Sequence, residues 1–261
     1  MTAIIEDQIR VNEKLYEHTQ GYAIPVLGVN PWKIYHFQDY AHLVDATLAR
    51  GVFKGVKLYP SVGYSVTGDI RRGITDRQCD SKGVSTSIIK EGMERLFEIV
   101  SSHDAYVTSH TTYSKGAEPG AEALAGARYW NEVLESRPDM RVNFGHMGDP
   151  GDNVGEEWRD GFLNLMNQYE HVHADFGYHE YASYDTLRSD LLRFKRSYGV
   201  SIFDKISYGS DWYMISKDKG ANAYLCDSAR SFERAVEEGV IDESQFKAMF
   251  YDNAHRFLRL S

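Results

Sequence analysis

Three segments of this chain end in residues that can hold a divalent metal. Ala105-Tyr106-Val107-Thr108-Ser109-His110, Arg141-Val142-Asn143-Phe144-Gly145-His146 and Ile206-Ser207-Tyr208-Gly209-Ser210-Asp211 each read as a short buried strand, followed by a loop and a helix-like stretch. In a parallel barrel of strand–helix units the strand ends meet at one face, and that face carries the chemistry. Two imidazoles and a carboxylate suit zinc, iron or manganese. A lone histidine after an apolar strand is most often structural. The matched placement of His110 and His146 with Asp211 is what singles them out. Gly209 and Ser210 allow a tight turn that projects the Asp211 carboxylate, whose other available role is to cap the following helix.

The elements that must position these residues alternate along the chain. Residues 3–19 read as a helix. Residues 23–31 read as a strand stopped by Pro31. Tyr40, Leu43, Val44 and Leu48 follow a helical spacing ended by Gly51. Residues 55–60 form the next strand. Residues 61–83 are rich in Gly, Ser, Thr and Asp, contain no clear element, and have the length of a functional lid. Ser87 is positioned to cap a helix that carries Ile89, Met93, Leu96 and Val100 on one face. Further helices are expected around 120–136, at Trp158–Tyr169, and over 184–198, 219–238 and 242–258. Another strand is expected at His171–Gly177. Strands therefore begin near residues 23, 55, 105, 141, 171 and 205, and their alternation with helices predicts a parallel sheet with right-handed crossovers. A closed barrel of this kind has eight strands. An open doubly wound sheet accepts six, but does not naturally bring three strand ends to one metal.

Composition narrows the function. The chain has 261 residues, 42% of them hydrophobic and 13% aromatic, which excludes a disordered protein. A single domain over 1–261 can bury a large core. The net charge of -9 argues against a nucleic-acid surface. Cys79 and Cys226 lie far apart, so neither a thiolate zinc site nor a disulfide scaffold is expected. The N-terminus lacks the basic and apolar regions of a signal peptide. No apolar run approaches the ~20 residues that span a bilayer. A cytoplasmic protein acting on a small molecule is expected, with no nucleic-acid or membrane partner and with homo-oligomerisation left open.

Five segments carry a resemblance when taken in order: Gly55-Val56-Lys57-Leu58-Tyr59-Pro60, the strand ending at His110, Asn143-Phe144-Gly145-His146-Met147-Gly148, Tyr208-Gly209-Ser210-Asp211-Trp212, and Asn253-Ala254-His255-Arg256-Phe257-Leu258. The chain resembles the amidohydrolase superfamily, specifically the amidohydrolase-related group of metal-dependent barrels. The segments match its strands four, five, six and eight and its closing helix; residues 23–31 and 171–177 then match strands three and seven. The resemblance implies an α/β TIM-type barrel of which six of eight strands are present. The family's first strand bears a His-x-His metal motif, and nothing before residue 23 contains one. A fragment, a mis-set start or completion by another chain would each account for that. The His171-Val172-His173 triplet falls at the start of strand seven, away from the active-site end, and reads as a packed strand. Asp175, nearer the functional end, is placed to line a substrate pocket.

The resemblance also implies roles. Asp211 binds metal and takes a proton from the attacking water, His146 binds metal and polarises the substrate or shuttles a proton, and His110 binds metal. Zinc is the first expectation, with manganese or iron as alternatives. The expected reaction is attack of a metal-activated water on an amide, ester or lactone carbonyl. The same family contains decarboxylases, and the absent His-x-His would also suit a non-catalytic relative. Lys57 lies where binuclear members carry a bridging carboxylated lysine, but its position three residues before Pro60 is also typical of one-metal members. It reads as a polar residue lining the pocket. Tyr59 and Trp212 read as substrate contacts. With Tyr64, Tyr113, Tyr178, Tyr181 and Tyr213 they suggest a moderately apolar, hydrogen-bonding pocket, or ordinary packing at the rim.

Overall fold

Six short strands alternate with helices in the computed structural model, which describes residues 2–70, 85–113, 119–151, 154–211 and 221–260. The strand order is that of the chain, β1 to β6. Two compact units divide the sequence, Met1–Val142 and Asn143–Ser261.

The first unit contains α1 (Thr2–His18), β1 (Val26–Gly28), α2 (Pro31–His36), α3 (Gln38–Ala49), β2 (Gly55–Leu58), α4 (Thr86–Ser102), β3 (Tyr106–His110) and α5 (Ala127–Ser136). The strands are parallel, with Gly28 opposite Lys57 and Lys57 opposite Thr108. Side chains alternate across a strand. Val56, Leu58 and Val107 are fully buried on one face, which leaves Lys57 and Thr108 on the other.

Three local features differ from the sequence expectation. Helix α2 was not foreseen: Asn30 accepts the Trp32 N–H at 3.0 Å and Pro31 opens the helix, a cap-and-start pair rather than a strand stop. Ser85, not Ser87, caps α4, by accepting the Ile88 N–H at 3.3 Å; the Ser87 hydroxyl bonds to that of Ser85. The helix expected over 120–136 is broken at Gly126 (φ -66°, ψ 151°) into a 3-10 turn, Glu122–Ala125, and α5. Helix α4 buries the foreseen Ile89, Met93, Leu96 and Val100. It also crosses α2 closely, since a Cβ on Gly92 would lie 2.0 Å from the Pro31 carbonyl oxygen.

The second unit holds most of β4 (Val142–Gly145), then α6 (Glu157–Gln168), β5 (Val172–Asp175), α7 (Tyr184–Tyr198), β6 (Ile206–Ser207), α8 (Ala221–Glu237), α9 (Glu243–Lys247) and α10 (Asn253–Leu258). Strands β5 and β6 run parallel, with Asp175 opposite Ser207. The strand expected to reach Asp211 stops at Ser207, because the Tyr208 N–H turns away to the Met249 carbonyl at 2.7 Å. The helix expected over 242–258 is interrupted by a π-helical turn, Ala248–Asp252. Asn253 explains the closing motif. It is fully buried, and its amide donates to the carbonyls of Phe203 (2.7 Å) and Ile206 (2.6 Å), tying α10 to β6.

His173 lies on β5 with its ring 4.9 Å from that of Phe257. Burial first, then the charges of Lys205 and Arg256, hold its pKa down to about 4. An unfolded chain takes up this proton near pH 6.5. The stability held above that pH is therefore lost as pH falls toward 4, by at most about 3 kcal/mol from this residue. Urea titrations at pH 7 and 4.5 should show that loss, and His173→Gln should reduce it. An unchanged pH dependence in the variant would place the acid sensitivity elsewhere.

Candidate active site

Strand β4 ends at Gly145 and the chain enters a left-handed turn: His146 (φ 68°), Met147 (φ 45°) and Gly148 (φ 62°). Non-glycine residues pay roughly 1–2 kcal/mol each to sit there, so surrounding bonds must hold the turn in place. The Asp175 carboxylate at the end of β5 is the main anchor. It accepts the Asn143 side-chain amide at 2.7 Å, the His146 N–H at 3.1 Å and the Gly177 N–H at 3.1 Å. Asp175, expected to line a substrate pocket, is thus occupied by the backbone around His146.

The His146 ring is fixed as well. Its Nδ1 lies 2.8 Å from the Gly177 carbonyl oxygen. A carbonyl only accepts, so Nδ1 carries the hydrogen, and in the neutral ring the lone pair sits on Nε2. This is the tautomer that an outer-shell partner sets in a metal-binding or proton-transferring histidine.

Asp211 meets the same loop. It is exposed, with φ 47°. Gly177 lies against it: a Cβ there would be 3.6 Å from both the backbone nitrogen and Cβ of Asp211, and 3.1 Å from Asp175 Oδ1. Gly209 is packed likewise, its Cβ position 3.1 Å from Asp175 Oδ1 and 3.3 Å from Gly177 N. The glycines after β5 and β6 thus bring two loop backbones together, and Gly177 meets both residues: its carbonyl holds the His146 ring, and it packs against the backbone of Asp211. An imidazole presenting Nε2 and an exposed carboxylate are a donor pair that suits a divalent ion.

Sequence reasoning missed what lies behind this turn. His179 is buried, and its Nε2–H donates to the His146 carbonyl at 2.9 Å. Burial, then the nearby Arg159, holds its pKa down to about 4, so the ring is neutral near pH 7. Arg159 is 5% exposed and donates to Asp190 at 2.9 Å and Asp149 at 3.4 Å. Burial lowers the Arg159 pKa, but Tyr181, Asp190, Glu156 and Asp149 outweigh it and leave it raised. The available signal was position: both Asp149 and His179 lie in loops that follow strands, where sites of such folds are built.

In the first unit, His110 ends β3, is 5% exposed, and stacks on Tyr59 with ring centroids 4.1 Å apart and planes 13° apart. Tyr59 is 43% exposed, open enough for a substrate contact. Tyr64 and Tyr181 belong to the packed interior rather than a rim. Trp212 and Tyr213 lie outside the described residues. Among the described residues no group of three His, Cys, Asp or Glu side chains is gathered as a metal would need, and no helix is long and apolar enough to cross a membrane.

Residues 36–260 match the amidohydrolase family Amidohydro_2, and the chain belongs to that family. No curated protein matches its sequence. Solved structures resemble it at low identity. An amidohydrolase from Burkholderia multivorans with bound zinc shares 12% identity over 98% of this chain and 80% of its own, with a TM-score of 0.57. An uncharacterised TIM-barrel protein from Bordetella bronchiseptica shares 12% over 95% and 72%, with a TM-score of 0.56. A dihydroorotase from Campylobacter jejuni shares 15% over 90% of this chain and 64% of its own length, with a TM-score of 0.51. At such identities the likeness is one of fold. The fold is α/β, of the TIM-barrel type.

Proposed function

We propose that this chain is a metal-dependent hydrolase acting on an amide, ester or lactone of a small molecule. What supports the proposal is that His146 and Asp211 both meet Gly177, on an amidohydrolase fold. His146 Nε2 and the Asp211 carboxylate would hold the ion, zinc first and manganese or iron as alternatives. The resemblance assigns His110 as a further ligand. When bound, such an ion polarises a carbonyl and lowers the pKa of water.

The chain's own residues do the rest. The Asp211 carboxylate takes a proton from the attacking water. The water oxygen bonds to the carbonyl carbon, the C–N or C–O bond breaks, and the leaving group receives the proton from Asp211. The Nδ1–H bond to Gly177 keeps the His146 ring from turning its protonated nitrogen toward the substrate. Lys57, Tyr59 and Trp212 are the proposed substrate contacts. The test is turnover of a panel of amides, esters and lactones by the purified chain with added zinc or manganese. Acid release is expected. Carbon dioxide release from aromatic carboxylates instead would make it a decarboxylase, and the absence of both would end the enzymatic reading.

A further inference from the structure

The left-handed turn at His146 is closed by a circuit of contacts that begins and ends on it. The His146 carbonyl accepts from His179 Nε2. The His179 ring stacks on Tyr181 with centroids 4.9 Å apart and planes 23° apart. The Tyr181 hydroxyl donates to Asp190 at 2.9 Å, and Arg159 joins Asp190 at 2.9 Å to Asp149 at 3.4 Å. The Asp149 N–H returns to the His146 carbonyl at 2.9 Å. From outside the circuit, the Tyr224 hydroxyl donates to the His179 carbonyl at 2.6 Å and pins its backbone.

We propose that His179 is a positioning residue for His146: its Nε2–H holds the His146 carbonyl, and so the direction in which the His146 imidazole presents Nε2. This rests on the reading of His146 as a site residue. Its geometry does not depend on any bound ion.

His146 has its N–H on Asp175, its Nδ1–H on Gly177 and its carbonyl on His179. The first two bonds fix one side of the residue. The peptide that follows, leading into Met147 at φ 45°, is fixed by His179 and by the Asp149 N–H. An L-residue held there relaxes toward ordinary backbone when a restraint is removed. Relaxation at the 146–147 peptide rotates His146 and weakens its bond to Gly177. Histidine suits the task because one ring supplies both the donor and a flat face for Tyr181. Arg159 and Asp190 act through Tyr181 and Asp149.

The test uses two variants. His179→Phe keeps a flat ring against Tyr181 but has no donor. His179→Gln places an amide nitrogen near the position of Nε2. In uniformly 15N-labelled protein, the ring nitrogens of His146 should report a protonated Nδ1 in wild type and in His179→Gln. In His179→Phe the two tautomers should mix. Where turnover is measured, kcat should fall by about a hundredfold in His179→Phe, as small misplacements do, with KM little changed, and His179→Gln should restore it. If His179→Phe does not fold, His179→Asn replaces it, since its amide is too short to reach the carbonyl. A folded donor-less variant with the wild-type His146 tautomer overturns the proposal. So does a folded His179→Gln that has lost it. The spectra stand without catalysis: donor-dependent tautomers in a protein that hydrolyses nothing would uphold the positioning and defeat the hydrolase reading.

Discussion

Asp211→Asn is expected to lower turnover by about a hundredfold or more, the usual worth of a positioned proton transfer. The substitution keeps size and shape but removes the negative charge and the basicity. The fold should hold, because Asp211 is exposed, surface changes away from special features cost under about 0.5 kcal/mol, and asparagine tolerates the left-handed backbone that Asp211 adopts at φ 47°. Steady-state rates with saturating zinc, beside a thermal melt, measure both. Equal rates in the two proteins would remove Asp211 from the chemistry.

The second large effect is expected at Asp175. Its carboxylate accepts three donors, from Asn143, His146 and Gly177. Asp175→Asn would turn an amide donor toward the donor on Asn143. A polar group left without its partner costs about 1–3 kcal/mol when buried, and Asn143 and Asp175 are both half-buried. The variant should therefore be destabilised by about 1–2 kcal/mol, and the His146 turn loosened with it. Exchanging the pair, Asn143→Asp with Asp175→Asn, restores a carboxylate facing an amide and still leaves an amide oxygen for His146 and Gly177. Urea unfolding of the four proteins should give a favourable coupling of about 1–3 kcal/mol between the two positions. Additive losses would mean that the Asn143–Asp175 bond does not hold the turn.

These residues show how far the sequence could be read. Short apolar runs between helical periods marked all six strands, because burial on both faces leaves a pattern that composition alone reveals. Strand ends were harder. His146 and Asp211 were foreseen as the last residues of strands, but both lie beyond them, in left-handed backbone set by bonds to Asp175 and by the packing of Gly177 and Gly209. No local pattern encodes bonds between residues about 30 positions apart. Asp175 shows the same limit: a carboxylate near a strand end looks like a pocket residue until its three donors are known. His179 and Arg159 were invisible because a buried ion cluster and a surface one have the same composition. Asn253 was noticed as part of a motif, and its reason, the Ile206 carbonyl at the start of β6 and the Phe203 carbonyl in the turn before it, came only with the fold.

His146 and Asp211 are proposed to serve a metal-dependent hydrolysis. The most direct measurement follows acid release from the amide, ester and lactone panel in three states of the same protein: as purified, after chelation and dialysis, and after readdition of zinc or manganese. Hydrolysis should vanish on chelation and return with the ion, and Asp211→Asn should show little of it in any state. Hydrolysis that survives complete chelation, or none in the metal-loaded protein, would contradict the account.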